Sequence, residues 1–202
     1  MSYIISILMG YLLGCSNMAL YLSKLNGVDI RKGGSGNLGA SNVTMQLGWA
    51  AGVLTAVHDI GKAVLAVVLA RMLFPGVEYV GALAGAASVM GHMFPFYLKF
   101  KGGKGFASYL GVILALDWKF ALVILILVAV VTIITDYIVA GTTLTILASP
   151  VYLGITGGWM VALILGVATA VILYKHRMNY VRIYNGTEIG LRSVAKGKHR
   201  VK

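Results

Sequence analysis

Three polar clusters interrupt an apolar chain of 202 residues, and each carries groups suited to an anionic ligand. The first is Gly33-Gly-Ser-Gly-Asn-Leu-Gly-Ala-Ser-Asn42. Its glycines allow tight turns and bring backbone N–H groups close to a ligand. Ser35, Asn37, Ser41 and Asn42 add neutral donors. Such a loop can cradle phosphate oxygens in a nest of amides, although ordinary surface loops share this composition. It lacks the Gly-Lys-Ser/Thr of a Walker loop and follows no strand, as a dinucleotide fingerprint must. The second cluster runs from Gly91 to Gly105 and holds Lys101, Gly102, Gly103, Lys104 and Gly105 in succession. Cations, bare backbone and the start of a following helix all favour an anion, and the competing reading is a basic turn at the membrane surface. His92 precedes this turn and is open to either a structural or a catalytic role. The third cluster is Lys175-His-Arg-Met-Asn-Tyr-Val-Arg182 followed by Asn185-Gly-Thr-Glu188. On a helix His176, Asn179 and Arg182 share one face. Histidine can move protons and arginine can grip phosphate. A basic helix beside the membrane would carry the same residues.

Other polar residues read more plainly. Asp59 and Lys62, at i and i+3 in an apolar segment, read as an ion pair. Asp136 and Thr142 flank the start of another apolar segment, with helix capping one role open to Asp136. A single cysteine, Cys15, can form no intrachain disulfide. No set of His, Asp or Glu has metal-ligand spacing, so no metal and no cofactor are expected. No Gly-x-Ser-x-Gly elbow is present.

The elements that must position these clusters are membrane helices. Apolar residues make up 59% of the chain and charged residues 11%, with a mean hydropathy of +0.87. Soluble domains carry roughly 25% charge, so lipid must solvate much of this surface. Seven apolar segments stand out, at about 3–22, 50–74, 77–98, 105–117, 119–136, 138–156 and 158–175. The fourth and fifth are short and could form one broken hairpin. Small residues such as those of Gly81-Ala-Leu-Ala-Gly85 permit close helix approach. The first segment lacks a basic leader and a small-residue cleavage site, and reads as a retained helix.

The net charge is +11, from 17 Lys and Arg against 6 Asp and Glu. The basic residues flank apolar segments, which points to an anionic leaflet and away from nucleic acid. Lys24, Arg31, Lys32, Lys99, Lys101, Lys104 and the basic residues from Lys175 onward fall on one set of loops, while Arg71 and Lys119 fall on the other. The positive-inside rule then gives seven spans, the N-terminus outside and the C-terminus cytoplasmic. This topology places all three polar clusters on the cytoplasmic face. The expected architecture is an all-α polytopic membrane protein. A transmembrane domain covers residues 1–175, and a basic cytoplasmic segment and tail covers 176–202, its end disordered or lying on the membrane.

With the motifs set out, a family resemblance is specific. Gly34-Ser-Gly-Asn-Leu-Gly-Ala-Ser-Asn-Val43, Gly91-His-Met-Phe-Pro-Phe with Phe100-Lys-Gly-Gly-Lys-Gly105, and His176-Arg-Met-Asn with Arg182 and Asn185-Gly-Thr-Glu188 closely resemble the three motifs of the bacterial acyl-phosphate:glycerol-3-phosphate acyltransferases, the PlsY family. The resemblance covers nearly the whole chain. It implies a multi-pass enzyme of the bacterial inner membrane. Such an enzyme moves a fatty acyl group from acyl phosphate to the 1-hydroxyl of glycerol 3-phosphate. Lysophosphatidic acid and phosphate are released, in the first step of phospholipid synthesis. The partners implied are acyl phosphate, glycerol 3-phosphate and membrane lipid. A monomer or weak homo-oligomer is expected.

The resemblance also implies site roles. Ser35, His176 and Asn179 would be catalytic. Gly36, Asn37, Ser41, Asn42, Lys101, Gly102, Gly103, Lys104, His92, Thr142, Arg182 and Glu188 would bind substrate, with Glu188 organising the last motif. The proton acceptor is either His176 or a phosphate oxygen of the substrate. This chain departs from the family pattern in places. Met45 stands where an Arg is usual, Met178 where a Glu is, Ser41 where a Thr is, Thr142 where a Ser is, and Cys15-Ser-Asn17 where Ser-Ile-Pro is. An arginine lost from a phosphate clamp removes a charge-assisted bond worth about 1.5–3 kcal/mol. Two alternatives follow from these features: a paralogue using another phosphorylated polyol, or a non-catalytic protein that binds or transports an organic anion.

Overall fold

The first apolar run is not one continuous helix, because Ser16 and Asn17 interrupt it. In the computed structural model, which describes residues 1–195, the run forms α1 (Ser2–Cys15) and α2 (Met18–Leu25). Asn17 is extended and caps α2, its side chain accepting the Leu20 N–H at 3.0 Å. A break inside an apolar segment frees backbone carbonyls that lipid cannot satisfy. Here Tyr97 donates to the Cys15 carbonyl at 2.6 Å and Lys62 to the Ser16 carbonyl at 2.7 Å.

The chain divides into two compact units, Met1–Leu116 and, among the described residues, 117–195. The first continues with α3 (Ala40–Leu47), α4 (Trp49–Leu73), α5 (Val80–Met93) and α6 (Phe106–Leu116), with short 3₁₀ turns at Ile30–Lys32 and Phe96–Leu98. Most of α5 is buried. It meets α1 at van der Waals distance through small residues, as helices in lipid commonly do. A Cβ added at Gly10 or Gly14 would collide with the carbonyl of Ala84 or Ser88. One added at Gly91 would strike the Tyr11 carbonyl. The glycines of α5 foreseen as packing positions, Gly81 and Gly85, face Val67 of α4.

The second unit holds α7 (Trp118–Thr135), α8 (Ile138–Gly157), α9 (Trp159–Tyr184) and α10 (Leu191–Ala195). Asp117 caps α7 by accepting the Phe120 N–H at 2.9 Å. Pro150 lies inside α8 and has no N–H to give the Ile146 carbonyl one turn back. Thr169 of α9 donates to that carbonyl at 2.7 Å instead. Asp136, in a left-handed conformation at φ 69°, ends α7 and accepts the Arg192 N–H at 2.8 Å, which anchors α10.

Among the described residues, five helical stretches are long and apolar enough to cross a membrane: Ser2–Leu25, Trp49–Leu73, Trp118–Thr135, Ile138–Gly157 and Trp159–Tyr184. The other two of the seven expected segments are α5 and α6, of 14 and 11 residues. At about 1.5 Å per residue these fall short of a hydrocarbon core about 30 Å thick. Composition marks apolar runs, but the turns at either end fix helix length. The boundary expected at 175/176 falls inside α9, which continues to Tyr184. The expected disordered end of the tail lies in 196–202, outside the described residues.

Candidate active site

In the first unit the glycine loop is held from beneath by two neutral amides. Asn42 and Gln46 sit one turn apart on α3. Asn42 is 0% exposed. Its Oδ1 accepts the Ser35 N–H at 2.8 Å, and its Nδ2 donates to the Ile30 carbonyl at 2.9 Å. Gln46 Nε2 donates to the carbonyls of Ile30 and Gly33, at 2.8 and 3.0 Å. Gly34 turns through φ 56° directly over Asn42, and any side chain there would collide with the Asn42 amide. The polar face is thereby left outward: Ser35, Gly36 and Ser41 are exposed and Asn37 is half-buried. Gly39 begins α3 without a side-chain cap, with Ser41 in its first turn. An uncapped helix start beside exposed hydroxyls suits an anion. Asn42, which the sequence grouped with the ligand-binding residues, has both ends of its amide committed to the loop backbone.

Met45 does not take part in that face. It is 5% exposed, and its methyl would lie 3.5 Å from a Cβ on Gly34. It packs under the loop as core.

The second loop folds back on the end of α5. Lys99 and Phe100 adopt φ of 52° and 60°, a left-handed pair that non-glycine residues rarely form. Phe100 N–H reaches the Pro95 carbonyl, Gly102 N–H the Met93 carbonyl and Gly103 N–H the His92 carbonyl, each at 3.1 Å. This closeness is what requires glycine. A Cβ at Gly102 would strike the His92 carbonyl, and one at Gly103 would strike His92 Nε2. Lys101 is exposed and Lys104 half-buried. A Cβ on Gly103 would also lie 2.9 Å from the Leu38 carbonyl, so the two loops of this unit are neighbours.

His92 itself is buried and joins the ion pair foreseen in α4. Lys62 Nζ stands 2.8 Å from Asp59 Oδ1 and 2.9 Å from His92 Nδ1. His58 Nδ1 lies 3.5 Å from the same Asp59 oxygen, and its Nε2 lies 2.9 Å from Ser16 Oγ.

In the second unit the last motif closes on itself. After Tyr184 the chain turns at Gly186, φ 68°, and the N–H groups of Thr187 and Glu188 both reach the Arg182 carbonyl, at 2.8 and 3.1 Å. This carries Glu188 back along α9. Its Oε1 accepts from Asn179 Nδ2 at 2.5 Å and its Oε2 from Arg182 Nε at 2.6 Å. His176, one turn earlier on α9, is buried. Its Nδ1 lies 2.9 Å from the Ile172 carbonyl. A carbonyl only accepts, so Nδ1 carries a ring proton, and in the neutral ring Nε2 holds the lone pair. Thr142 on α8 is buried, with its hydroxyl donating to the Ile138 carbonyl at 3.0 Å.

The structure therefore gathers Ser35, Gly36, Asn37, Ser41, Asn42, His92 and Lys101 to Lys104 within the first unit, and His176, Asn179, Arg182 and Glu188 within the second. Gln46 and His58 were missed as supporting residues. Gln46 carried a usable signal, since it is i+4 from Asn42 on one helix. Among the described residues, no three His, Cys, Asp or Glu are arranged to hold a metal ion.

Residues 4–186 match the family described as glycerol-3-phosphate acyltransferase. The chain is 40% identical over 195 residues to a protein of Clostridioides difficile strain 630 named glycerol-3-phosphate acyltransferase, covering 93% of this chain and 94% of that one. It is 35% identical to glycerol-3-phosphate acyltransferase 1 of Oceanobacillus iheyensis, covering 96% and 97%. Among solved structures it is similar to a crystal structure of PlsY (YgiH), described as an integral membrane glycerol 3-phosphate acyltransferase in its glycerol 3-phosphate form. That likeness has a TM-score of 0.90 and 32% identity, and covers 97% of this chain and 98% of that one. A second crystal structure of the same description, in the lysophosphatidic acid form, has a TM-score of 0.86.

Proposed function

Because the chain belongs to the glycerol-3-phosphate acyltransferase family, we propose that it acylates the 1-hydroxyl of glycerol 3-phosphate, taking the acyl group from acyl phosphate. The observation that carries this reading is the family match over residues 4–186, which includes the first two polar motifs and the third as far as Gly186. The hydroxyl oxygen forms a bond to the acyl carbon as the bond from that carbon to the phosphate oxygen breaks. The products are lysophosphatidic acid and inorganic phosphate. The donor is already activated, so the protein's work is positioning and charge stabilisation.

Each group has a part that its geometry supports. The exposed hydroxyls of Ser35 and Ser41 and the Asn37 side chain, with Lys101 and Lys104, hold phosphate oxygens. His176 presents a lone pair at Nε2, the form that accepts the hydroxyl proton. Glu188 aims the Asn179 amide and steadies Arg182, whose remaining N–H groups suit a phosphate. No residue here forms a covalent intermediate, and the proton taken from the hydroxyl leaves with the released phosphate. The acyl chain lies among the helices in lipid. The reading places the protein in the bacterial inner membrane with these loops on the cytoplasmic side, active as a monomer or weak homo-oligomer.

Met45 favours one variant of this reading. An apolar residue buried beneath the phosphate loop supplies no cation there, which would relax the choice of acceptor. Purified, folded protein should be given acyl phosphate with glycerol 3-phosphate or with other phosphorylated polyols. Preference for glycerol 3-phosphate is expected. Preference for another polyol phosphate would reassign the acceptor, and no acyl transfer to any would overturn the proposal.

A further inference from the structure

Asp59, Lys62 and His58 lie outside the groups assigned to substrate, yet they form a polar network in the first unit in which Asp59 and Lys62 are buried and His58 half-buried. A buried ion pair adds little net stability over apolar packing of the same volume. Ionisable groups within membrane spans are usually paired or functional. The geometry shows what this pair can specify. A lysine ammonium has three N–H donors and no acceptor. Lys62 Nζ has three neighbours at bonding distance: the Ser16 carbonyl at 2.7 Å, Asp59 Oδ1 at 2.8 Å and His92 Nδ1 at 2.9 Å. The carbonyl and the carboxylate only accept. The third bond is made only if His92 Nδ1 is the unprotonated nitrogen, which puts the ring proton on Nε2. Asp59 Oδ1 is 3.4 Å from Nδ1 and would take that proton's bond if Lys62 were absent. His58 Nδ1 lies 3.5 Å from that carboxylate oxygen, and its Nε2 lies 2.9 Å from the Ser16 hydroxyl.

His92 carries this constraint to the second loop. Its carbonyl accepts the Gly103 N–H, and its Nε2 edge lies against Gly103 with the Leu38 carbonyl of the glycine loop close by. We propose that Asp59 and Lys62 are positioning residues for acyl transfer: they lock His92 as its Nε2–H tautomer, and His92 seats the Gly102-Gly103 turn beside the glycine loop. This rests on the acyltransferase reading above. Lys62 and Asp59 touch no substrate, and they act through the placement of the second loop, which carries Lys101 and Lys104.

The test joins a spectrum to kinetics. Nitrogen-15 NMR of histidine-labelled protein in nanodiscs reports the tautomer of each ring, with the His92 signal identified by its loss in His92→Asn. The wild type is expected to show protonated Nε2 and bare Nδ1 at His92. A wild-type His92 protonated at Nδ1 overturns the proposal without any further variant. In Lys62→Met the proton is expected to move to Nδ1, facing Asp59. The same variant is expected to raise KM for glycerol 3-phosphate or acyl phosphate about tenfold, with kcat held within about threefold, as a small misplacement of binding groups does. Lys62→Arg keeps donors toward Nδ1 and is expected to restore the tautomer and part of the KM. A folded Lys62→Met with unchanged KM for both substrates overturns the positioning role. If Lys62→Met does not fold, Gly103→Ala displaces the His92 ring from the other side, and an unchanged KM there overturns it equally. A wild type that makes no lysophosphatidic acid refutes the acyltransferase reading instead, and the histidine spectrum is unaffected by that outcome.

Discussion

His92 in the first unit and His176 in the second are both buried, and a neighbour fixes Nδ1 in each. Their senses are opposite. On the proposal above, Lys62 donates to Nδ1 of His92, which puts the proton on Nε2. The Ile172 carbonyl accepts from Nδ1 of His176, so in the neutral ring the lone pair is on Nε2. One ring is set to donate and stays with the scaffold, and the other is set to accept and suits proton transfer. Residue type alone would not separate them, because the partner of the far nitrogen decides the role. The supports around them differ in the same way. Uncharged amides, Asn42 and Gln46, hold the glycine loop. A single carboxylate, Glu188, holds the α9 cluster.

The sharpest way to break this comparison is at His176. Replacing it with Ala is expected to lower kcat by about 10²–10⁴-fold, the usual contribution of a general base, in protein whose melting temperature shows it still folded. A fall of less than about tenfold would move proton acceptance to a substrate phosphate oxygen. Glu188→Gln keeps the shape but removes the charge from two bonds. With charge-assisted bonds worth about 1.5–3 kcal/mol, kcat/KM is expected to drop about 10–100-fold. Little change would mean that Asn179 and Arg182 need no carboxylate to hold them.

The amide-supported loop should respond more in stability than in chemistry. Asn42→Ala strands the Ser35 N–H and one bond of the Ile30 carbonyl, and is expected to cost about 1–3 kcal/mol in an unfolding measurement. Its KM for glycerol 3-phosphate should rise while kcat changes less. Met45→Leu is expected to do least. As a core methionine of similar volume it should cost under about 1.5 kcal/mol, with kcat/KM close to wild type. A large loss of activity would show that Met45 has a role at the loop's outer face that its burial does not suggest.

Much of the α9 cluster could be read from spacing. Positions 176, 179 and 182 share a helical face, and Glu188 follows a turn at Asn185-Gly186 that folds it back. The glycine loop could be read as a loop but not as a scaffold. Asn42 looked like a ligand because a side-chain amide serves a phosphate and a backbone equally well, and only burial tells which. Thr142 was ambiguous for a related reason, since a threonine on a helix can give its hydroxyl to the carbonyl four residues back. The role of Lys62 was hidden because one of its partners is a backbone carbonyl, freed by the break at Ser16. The count of seven rests on α5 and α6, which are shorter than the other spans. Both are rich in small and apolar residues, and the turns around Gly76 and Gly105 precede them.

The central claim is best tested by the balance of the reaction itself. Folded protein supplied with acyl phosphate and labelled glycerol 3-phosphate should release one inorganic phosphate for each lysophosphatidic acid formed. Phosphate released without labelled lysophosphatidic acid, or no turnover at all, would contradict the account.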